Sequence, residues 1–346
     1  MSRPAQVEVG EAAIDAVTDL AVSNPLLAGV AVVVAVGTLV GLAVLVRRFR
    51  RSPGGALRRT LAGYDRVSVL MHPNPDPDAM AAAQGVAELA TAVDTEPVLQ
   101  HAGQIRHQEN RAFETVLDLD LEEIETAGDI DADAVVLVDH NEARGFPGAE
   151  SLSPVAVVDH HPGDGTGTAF TDVRPEYGAA ATIVAEYFDE QGVEPGTTDD
   201  GADGSGCRLP SGVATGLLYG IQADTNHLTT GCSPAEFEAA SYLYTGIDEE
   251  SLDRIANPAV DTEVLEVKAR AITERDVRGA FACSDVGTVS NVDAIPQAAD
   301  ELLQLEGVTA VVVLGGADGT LHLSGRSRDD RVHMGKALQA AVEDIP

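Results

Sequence analysis

The sequence predicts an α/β protein: a doubly wound, mostly parallel β-sheet, then a smaller α/β C-terminal domain, all preceded by one transmembrane helix. Short β-branched runs that are apolar throughout alternate with helical stretches, which is typical of strands buried on both faces of a parallel sheet. A long uncharged stretch lies near the amino terminus, and a charged helical stretch separates the last part of the chain.

The uncharged stretch runs from Leu26 to Val46, and its 21 residues would form a helix of about 32 Å, which matches the hydrocarbon core of a bilayer. Four arginines follow it directly, whereas the preceding residues are acidic, so the arginine bias places everything downstream in the cytoplasm. A cleaved signal peptide is the alternative, but its charges should precede a shorter apolar core. We therefore expect an acidic extracytoplasmic N-terminus at 1–24, a transmembrane helix at 25–46 and a basic juxtamembrane linker at 47–60.

This anchor predicts a single-pass protein of the cell membrane with the domains that follow it in the cytoplasm and the lipid bilayer in contact with residues 26–46. The spacing of Gly37 and Gly41 permits close packing of two such helices and hence a homodimer. Small residues that face lipid are an equal explanation of that spacing.

The charge of the chain is the second broad feature, with a formal net charge of −34. Such self-repulsion is tolerable in concentrated salt, where the screening length falls to about 3 Å at 1 M, so we expect a halophilic protein. A binder of long duplex nucleic acid normally has a basic footprint, so a chain with this excess of acidic residues is not expected to bind one. The three cysteines, Cys207, Cys232 and Cys283, are far apart and indicate neither a zinc site nor a disulfide framework.

The elements of the main domain can be located from periodicity. Strands are expected at 66–71, 96–100, 133–138 and 154–158, and helices at 79–93, 179–191 and 213–225. Residues 192–212 lack periodicity and are rich in Gly, Asp and Pro, which predicts a surface loop. A charged helical connector follows at 247–275, and residues 309–327 are expected to form a β-hairpin in the second domain.

Three of these strands end in acidic or imidazole side chains, and ligands collect at the carboxyl ends of parallel strands. His72, Asp76 and Asp78 follow the first strand; Asp139 follows the strand at 133–138; Asp159, His160 and His161 follow the strand at 154–158; and Asp224 ends the buried helix. Asp76 and Asp78 can each serve a different ion, with Asp139 as the bridging carboxylate. Oxygen and imidazole ligands without thiolates favour Mn²⁺ or Mg²⁺ over structural zinc. Two such ions can turn a bridging water into a hydroxide nucleophile for phosphoryl displacement.

Four ordered segments carry a family resemblance: HPNPDPDAM (72–80), LVDHNE (137–142), VVDHH (157–161) and GIQADT (220–225). They resemble motifs I to IV of the DHH phosphoesterase superfamily, which includes RecJ-like exonucleases, oligoribonucleases, cyclic-dinucleotide phosphodiesterases and family II pyrophosphatases. The resemblance implies that one Mn²⁺ is held by His72, Asp76 and Asp139 and the other by Asp78, Asp139, His160 and Asp224. It also implies that His161 faces the substrate phosphate and that Asp159 orients its neighbours, so that His161, Asp139 and Asp159 are the expected catalytic residues.

The resemblance divides the soluble part into a DHH metal-binding catalytic domain at 61–246, a helical connector at 247–279 and a small DHH-associated substrate-binding domain at 280–346. In the last of these, Arg326, Ser327 and Arg328 resemble a phosphate-contacting segment, and Arg is suited to bidentate phosphate binding. The family's glycine-rich segment ending in His has no counterpart before Pro346, so this domain is expected to be incomplete. Arg106 and His107, in a loop that should open near the same cleft, are further expected substrate contacts.

These features predict a membrane-anchored, Mn²⁺-dependent phosphoesterase that hydrolyses phosphodiester bonds of small nucleotides, either short single-stranded RNA or DNA or cyclic dinucleotides. LVDHNE and the Asp-Thr pair of motif IV also resemble family II pyrophosphatases, which makes pyrophosphate hydrolysis the alternative. A non-catalytic nucleotide-binding sensor is a third reading, because a fold does not establish an activity.

Overall fold

The computed structural model describes residues 26, 30, 31, 33–38, 41, 52–105, 107–196, 208–329 and 331–342. The α-helices are α1 (Pro53–Leu61), α2 (Pro77–Thr91), α3 (Gln108–Val116), α4 (Ala180–Glu190), α5 (Ser211–Asp224), α6 (Pro234–Leu243), α7 (Glu249–Ala256), α8 (Thr262–Thr273), α9 (Ala294–Leu303) and α10 (Met334–Val342). The strands are β1 (Arg66–Leu70), β2 (Glu96–His101), β3 (Leu121–Glu123), β4 (Ala134–Val138), β5 (Ala156–Asp159), β6 (Phe170–Val173), β7 (Glu194–Gly196), β8 (Arg208–Pro210), β9 (Asp276–Arg278), β10 (Phe281–Thr288), β11 (Ala310–Ala317) and β12 (Thr320–Ser327).

The main domain is built on a six-stranded sheet with the order β3-β2-β1-β4-β5-β6. Every neighbouring pair is parallel. The central strands β4 and β5 are buried along their whole length, which explains their unbroken apolar runs. The prediction of a parallel α/β sheet is confirmed. The strand order reverses between β1 and β4, which is where such sheets bind ligands.

The two faces of this sheet are covered differently. On one face Val69, Val136 and Val158 belong to a large core that also contains side chains of α1 to α6. On the other face Leu70, Leu137 and Val157 form a smaller core with side chains of the connecting segments between residues 124 and 152. Those segments are rich in Gly, Pro and Asp, which favour turns, and in the described residues they contain only one-turn 3-10 helices. The sequence predicted α-helices on both faces of the sheet. In the structure one face is covered by turns instead.

Helices α2 and α5 approach closely because glycine lies at their contact. A Cβ atom at Gly220 would lie 2.9 Å from Cβ of Ala81 and 3.2 Å from Cα of Asp78. Real Cβ atoms are rarely that close to a neighbour, so any side chain at 220 would push the helices apart. Gly220 thus sets the distance between the end of α5 and the start of α2.

We expect Gly220→Ala to destabilise the protein by about 1–3 kcal/mol, because overpacking a tight contact costs that much. The matched control is Gly212→Ala in the same helix, where a Cβ would have no neighbour within 4 Å. Ala is the better helix former, so the control should lose no stability. Denaturant unfolding of both variants in molar salt measures the difference, and equal stabilities would contradict the packing argument.

The second α/β unit contains a four-stranded sheet with the order β12-β11-β10-β9, in which only β10 and β11 are parallel. Val267 of α8, Leu302 of α9 and Val311 of β11 lie in its core. Strands β11 and β12 are antiparallel and joined at Asp318 and Gly319, which have φ values of 48° and 77°, as the favoured two-residue hairpin turns require. The hairpin expected at 309–327 is confirmed. The region expected to be helical at 247–275 contains α7 and α8, and its role as a connector between domains stays a prediction because α8 packs in the core of this unit.

Part of the loop expected at 192–212 is ordered as a strand pair. Pro195 of β7 lies opposite Leu209 of β8 in a two-stranded parallel sheet, and both side chains are buried. Residues 197–207 between them lie outside the described part of the chain. These two strands were not predicted because each has only three residues, which is too few to show a periodic pattern.

The predicted single-pass membrane localisation is contradicted. Within the described residues, no helix combines the length and the apolar character that crossing a bilayer requires. The longest of them, α2, has 15 residues, whereas a spanning helix needs about 20. Most of the predicted transmembrane helix at 25–46, together with 1–24 and 47–51, lies outside the described residues.

Candidate metal centre

The first motif positions its carboxylates by starting a helix. Asp76 is the N-cap of α2, and its Oδ1 accepts a hydrogen bond from the amide of Ala79 at 3.1 Å. Pro77 occupies the first helical position, where its fixed φ suits the helix and its missing N–H has no partner to lose. The cap leaves Oδ2 of Asp76 at 3.6 Å from Nε2 of His72. The Asp-Pro-Asp sequence therefore places Asp76 and Asp78 at the carboxyl edge of the sheet.

Asp139 directly follows β4 in a left-handed conformation with a φ of 58°, which few non-glycine residues adopt and Asp tolerates better than most. Its amide donates to the carbonyl of Val158 at 2.9 Å, so the chain stays paired with β5 up to this residue. The buried carboxylate lies between two imidazoles. Its Oδ2 is 3.4 Å from Nε2 of His72, and its Oδ1 is 3.2 Å from Nε2 of His160. Asp139 thus stands where a bridging ligand is expected.

Asp159 organises the third motif from a fully buried position. Its Oδ1 accepts hydrogen bonds from the amides of His160 and His161, at 2.8 and 3.1 Å, and is 2.9 Å from Nδ1 of His161. With Nδ1 of His161 paired in this way, Nε2 is the atom left for the cavity that this half-exposed side chain lines. The geometry is what the predicted orienting role of Asp159 requires, and that role stays a prediction.

Asp78 and Asp224 approach His160 from two helices. Asp78 is completely buried, and its oxygens accept hydrogen bonds from the amides of Ala180 and Ala181 at 2.7 and 2.8 Å. These amides belong to the first turn of α4, where the helix dipole favours an anion. Oδ2 of Asp78 lies 3.7 Å from Nε2 of His160, and Oδ2 of Asp224, at the end of α5, lies 3.4 Å from the same atom.

The fold therefore brings together all the side chains predicted to bind metal. Their potential ligand atoms form groups within 4.8 Å of one another: His72, Asp76 and Asp139; Asp78, His160 and Asp224; and Asp139, His160 and His161. The first group is the predicted first site. The second group is the predicted second site except for Asp139, whose Oδ1 adjoins His160 and so connects the two.

The electrostatics of the cluster depend on proton sharing between the imidazoles and the carboxylates. Burial by itself would lower the pKa of His72, but hydrogen bonds with Asp139 and Asp76 outweigh it and raise that pKa to about 10. His160 behaves in the same way beside Asp139 and Asp224, with a pKa of about 11. Burial raises the pKa of Asp78 well above its usual range, and neighbouring carboxylates act in the same direction. Without metal, the cluster therefore holds protons in place of cations.

Two buried atoms at the centre of the cluster, Nε2 of His160 and Oδ1 of Asp139, lie 3.2 Å apart, but in the described part of the chain neither makes a hydrogen bond with suitable angles. The opposite nitrogens are paired: Nδ1 of His160 is 3.2 Å from the carbonyl of Tyr177, and Nδ1 of His72 is 3.0 Å from that of Pro73. Both Nε2 atoms thus face inward. Unpaired buried polar atoms are costly, and cations would satisfy them. Oxygen and imidazole donors without thiolates fit divalent cations of the Mn²⁺ and Mg²⁺ type.

A cavity of about 440 Å³ opens onto this cluster. It is lined by His72, Pro73, Asp76, Asp139, Arg144, Gly145, His161 and Asp224. Of these, Arg144 is the only Arg or Lys, and sequence reasoning missed it because it lies in an irregular loop. Its neighbour Gly145 has a φ of 85°, and a Cβ there would lie 2.7 Å from Cγ of Pro73. The one feature of the sequence that could have indicated Arg144 is its position directly before a glycine and shortly after Asp139.

Those expected substrate contacts that lie within the described residues do not line this cavity. The guanidinium of Arg326 is paired with Asp300, with Nε 2.6 Å from Oδ1. Ser327 donates its hydroxyl to the carbonyl of Thr309, and the amide of Arg328 donates to the same carbonyl. His107 is the exposed N-cap residue of α3, and Arg106 lies outside the described residues. Substrate contact by these residues stays a prediction.

Comparison with known proteins identifies relatives of the chain. An uncharacterized protein of Methanocaldococcus jannaschii is 36% identical over 277 residues, which cover 79% of this chain and 54% of that protein. Cyclic-di-AMP phosphodiesterase GdpP of Geobacillus thermodenitrificans is 28% identical over 295 residues, which cover 80% of this chain and 43% of GdpP. A probable manganese-dependent inorganic pyrophosphatase of Deinococcus radiodurans is 35% identical over 143 residues, which cover 37% of this chain and 42% of that protein.

The chain spans about half the length of the curated relatives it matches. Residues 66–221 match the model of the DHH family, N-terminal domain. That range contains the parallel sheet and six of the seven clustered side chains from His72 to His161, and it ends three residues before Asp224. The family match and the order of the motifs agree: residues 66–221 of the chain are a domain of the DHH family, the superfamily of phosphoesterases that the four motifs resemble.

Proposed function

We propose that the chain is a hydrolase that cleaves phosphodiester bonds of small nucleotides with two divalent cations. The observation that supports this most directly is the pair of ligand groups joined by Asp139, because the buried Oδ1 of Asp139 and Nε2 of His160 make no well-aligned hydrogen bond among the described residues. His72, Asp76 and Asp139 would hold one cation, and Asp78, Asp139, His160 and Asp224 the other. Such a pair lowers the pKa of water and stabilises the charge that develops on the attacking and leaving oxygens.

The remaining residues of the site would bind and orient the substrate. His161, aimed by Asp159, offers Nε2 to a phosphate oxygen in the cavity. Arg144 adds a permanent positive charge. This charge is needed because the four ligand carboxylates balance two divalent cations, and the chain as a whole is strongly anionic. The ligand chemistry favours Mn²⁺, with Mg²⁺ as the second choice.

The extent of the relatives and the size of the cavity support the proposed substrate class. GdpP, a cyclic-di-AMP phosphodiesterase by name, aligns with 80% of the chain, which is more than the DHH domain alone, whereas the pyrophosphatase aligns with 37%. A cavity of about 440 Å³ is within the usual range for small-molecule sites, roughly 300–1,000 Å³. A cyclic dinucleotide or a short single-stranded oligonucleotide fits these facts best.

Pyrophosphate hydrolysis is the alternative, and the 35% identity with the pyrophosphatase over 143 residues favours it. The deciding experiment offers cyclic di-AMP, a short RNA and pyrophosphate to the full chain in molar salt with Mn²⁺. Release of nucleotide products supports the proposal, and orthophosphate from pyrophosphate alone supports the alternative. Nucleotide binding without any product would instead indicate a sensor.

We expect Arg144→Ala to raise KM for the nucleotide substrate by about 10- to 100-fold, because a hydrogen bond to a charged group contributes about 1.5–3 kcal/mol. Mn²⁺ affinity should not change, since Arg144 is outside the ligand groups. Arg66→Ala is the matched control, because Arg66 begins β1 at the opposite edge of the sheet and pairs with Glu96. Steady-state kinetics on both variants make the comparison, and an unaltered KM in Arg144→Ala would remove Arg144 from the binding site.

A further inference from the structure

The residues from Arg174 to Ala181, here called the 174–181 segment, connect β6 to α4 behind the metal cluster. Its first amide, of Arg174, donates to the carbonyl of Asp159 at 2.9 Å. The carbonyl of Tyr177 pairs with Nδ1 of His160, and the amides of Ala180 and Ala181 hold the oxygens of Asp78. This one segment therefore orients two ligands of the second metal group.

The same segment also touches the third ligand-bearing element. A Cβ atom at Gly178 would lie 2.6 Å from the carbonyl oxygen of Gly231 and 2.8 Å from Cγ2 of Thr225. Thr225 directly follows Asp224 and is completely buried. A shift of the segment at Gly178 would therefore disturb the end of α5 as well as His160 and Asp78.

A mostly buried arginine fixes the start of the segment. Nε and Nη2 of Arg174 donate to the two oxygens of Asp172, both at 2.8 Å, and Nη1 donates to Glu186 at 2.7 Å. Nη1 is also 3.1 Å from the hydroxyl of Tyr177, and the guanidinium carbon lies 5.0 Å from the centre of that ring. The Tyr177 hydroxyl in turn donates to Glu186 at 2.8 Å. Arg174 thereby holds the residue whose carbonyl faces His160.

A buried carboxylate fixes the middle of the segment. Glu236 is fully buried, and its Oε1 accepts a hydrogen bond from the amide of Gly178 at 2.8 Å. Its Oε2 accepts from the amide of Ser233, which forms the capping box of α6. Charge-assisted hydrogen bonds in a buried setting are strong and directional. Glu236 thus ties the segment to α6 next to the residue that contacts His160.

We infer that Arg174 and Glu236 are positioning residues for the second cation, which Asp78, His160 and Asp224 would hold with Asp139. Neither touches a ligand side chain directly. They act through the Tyr177 carbonyl, which would hold a proton on Nδ1 of His160 and leave Nε2 available to the cation, and through the amides of Ala180 and Ala181 that hold Asp78. This inference rests on the proposed two-cation site, and partners of this kind are typically worth 10- to 100-fold in metal affinity.

The test is a titration of the metal-free full chain with Mn²⁺ by calorimetry, in molar salt. The variants are Arg174→Met, which keeps the length and loses the charge, Arg174→Lys, which keeps the charge without the bidentate geometry, and Glu236→Gln. His72→Ala identifies which binding step belongs to the first site. We expect the second site to weaken by about 10- to 100-fold in Arg174→Met, less in Arg174→Lys and Glu236→Gln, with the first site unaltered.

The matched control is Arg58→Met. Arg58 donates to Gln191 at 2.8 Å, at the opposite end of α4, so its loss loosens the same helix away from the metal cluster. This variant should keep both Mn²⁺ affinities. The inference is wrong if the folded Arg174 and Glu236 variants bind both cations as the wild type does, or if all variants weaken both sites equally. Arg174→Lys and Glu236→Gln keep the test decisive if Arg174→Met does not fold. A wild type that binds fewer than two Mn²⁺ would overturn the proposed function together with this inference.

Discussion

Asp139→Asn is expected to abolish hydrolysis by the Mn²⁺-loaded protein, with a loss of about 10²- to 10⁴-fold. The substitution replaces the shared carboxylate by a neutral amide between two groups of ligands. Leaving a buried charge without its partner costs about 3–5 kcal/mol, which corresponds to that range of rates. Steady-state hydrolysis of whichever substrate the wild type cleaves, together with the number of Mn²⁺ bound per chain, measures the effect.

Asn is the suitable replacement because position 139 has a left-handed backbone, which Asn also tolerates, so the loop should keep its shape. Asp133→Asn is the matched control: Asp133 precedes the other end of β4 and its Oδ2 accepts a hydrogen bond from the amide of Arg66 at 3.0 Å. The control should retain Mn²⁺ binding and activity. An Asp139→Asn variant that still binds two cations and turns over at the wild-type rate would exclude Asp139 as the bridging ligand.

Mn²⁺ affinity is expected to rise steeply with pH, by about 10-fold per unit for each proton displaced. Without metal, the pKa of His72 is about 10 and that of His160 about 11, so both imidazoles are protonated from pH 6 to 8. A cation needs the Nε2 lone pair and must therefore displace a proton at each imidazole. Calorimetric titrations in two buffers with different ionisation enthalpies measure both the affinity and the protons released.

The metal-free protein should show the opposite pH dependence. Both folded pKa values lie above the ordinary histidine value of 6.5, so the stability that these imidazoles contribute is complete below about pH 6.5 and is lost towards pH 10–11. His140 serves as the internal reference, because burial lowers its pKa to about 4 and it stays neutral throughout. Mn²⁺ binding that releases no protons between pH 6 and 8 would contradict this picture of the site.

Much of the main domain could be predicted because its strands are buried on both faces. Continuous apolar runs identified β1, β4 and β5 to within about two residues, and helical spacing identified α2, α4 and α5 as helices to the same precision. Periodicity could not find β3, β7 and β8, because three residues are too few to show a pattern. It also could not show that one face of the sheet is covered by turns, which depends on how the 124–152 segments fold back.

The metal-binding side chains could be predicted because their positions follow from strand ends. Parallel strands place their carboxyl ends at one edge, so residues that follow β1, β4 and β5 must converge there. Asp224 was identified by its place at the end of a buried helix and by motif order. Arg144 could not be identified in this way, because an irregular loop has no periodic pattern that shows which side chains face the site. Residues that act through backbone groups, such as Arg174 and Glu236, leave no motif at all.

The sequence by itself determined the family, the parallel sheet, the set of chemically competent side chains and the excess of acidic charge, because each depends on residue type and local spacing. The tertiary structure decided how these side chains share protons, which of their buried atoms lack well-aligned hydrogen bonds and which other residues hold the side chains in place. Those properties depend on distances of about 3 Å between residues up to a hundred positions apart, such as Asp78 and Ala180. Only the closed packing of α2, α4 and α5 on the sheet sets such distances.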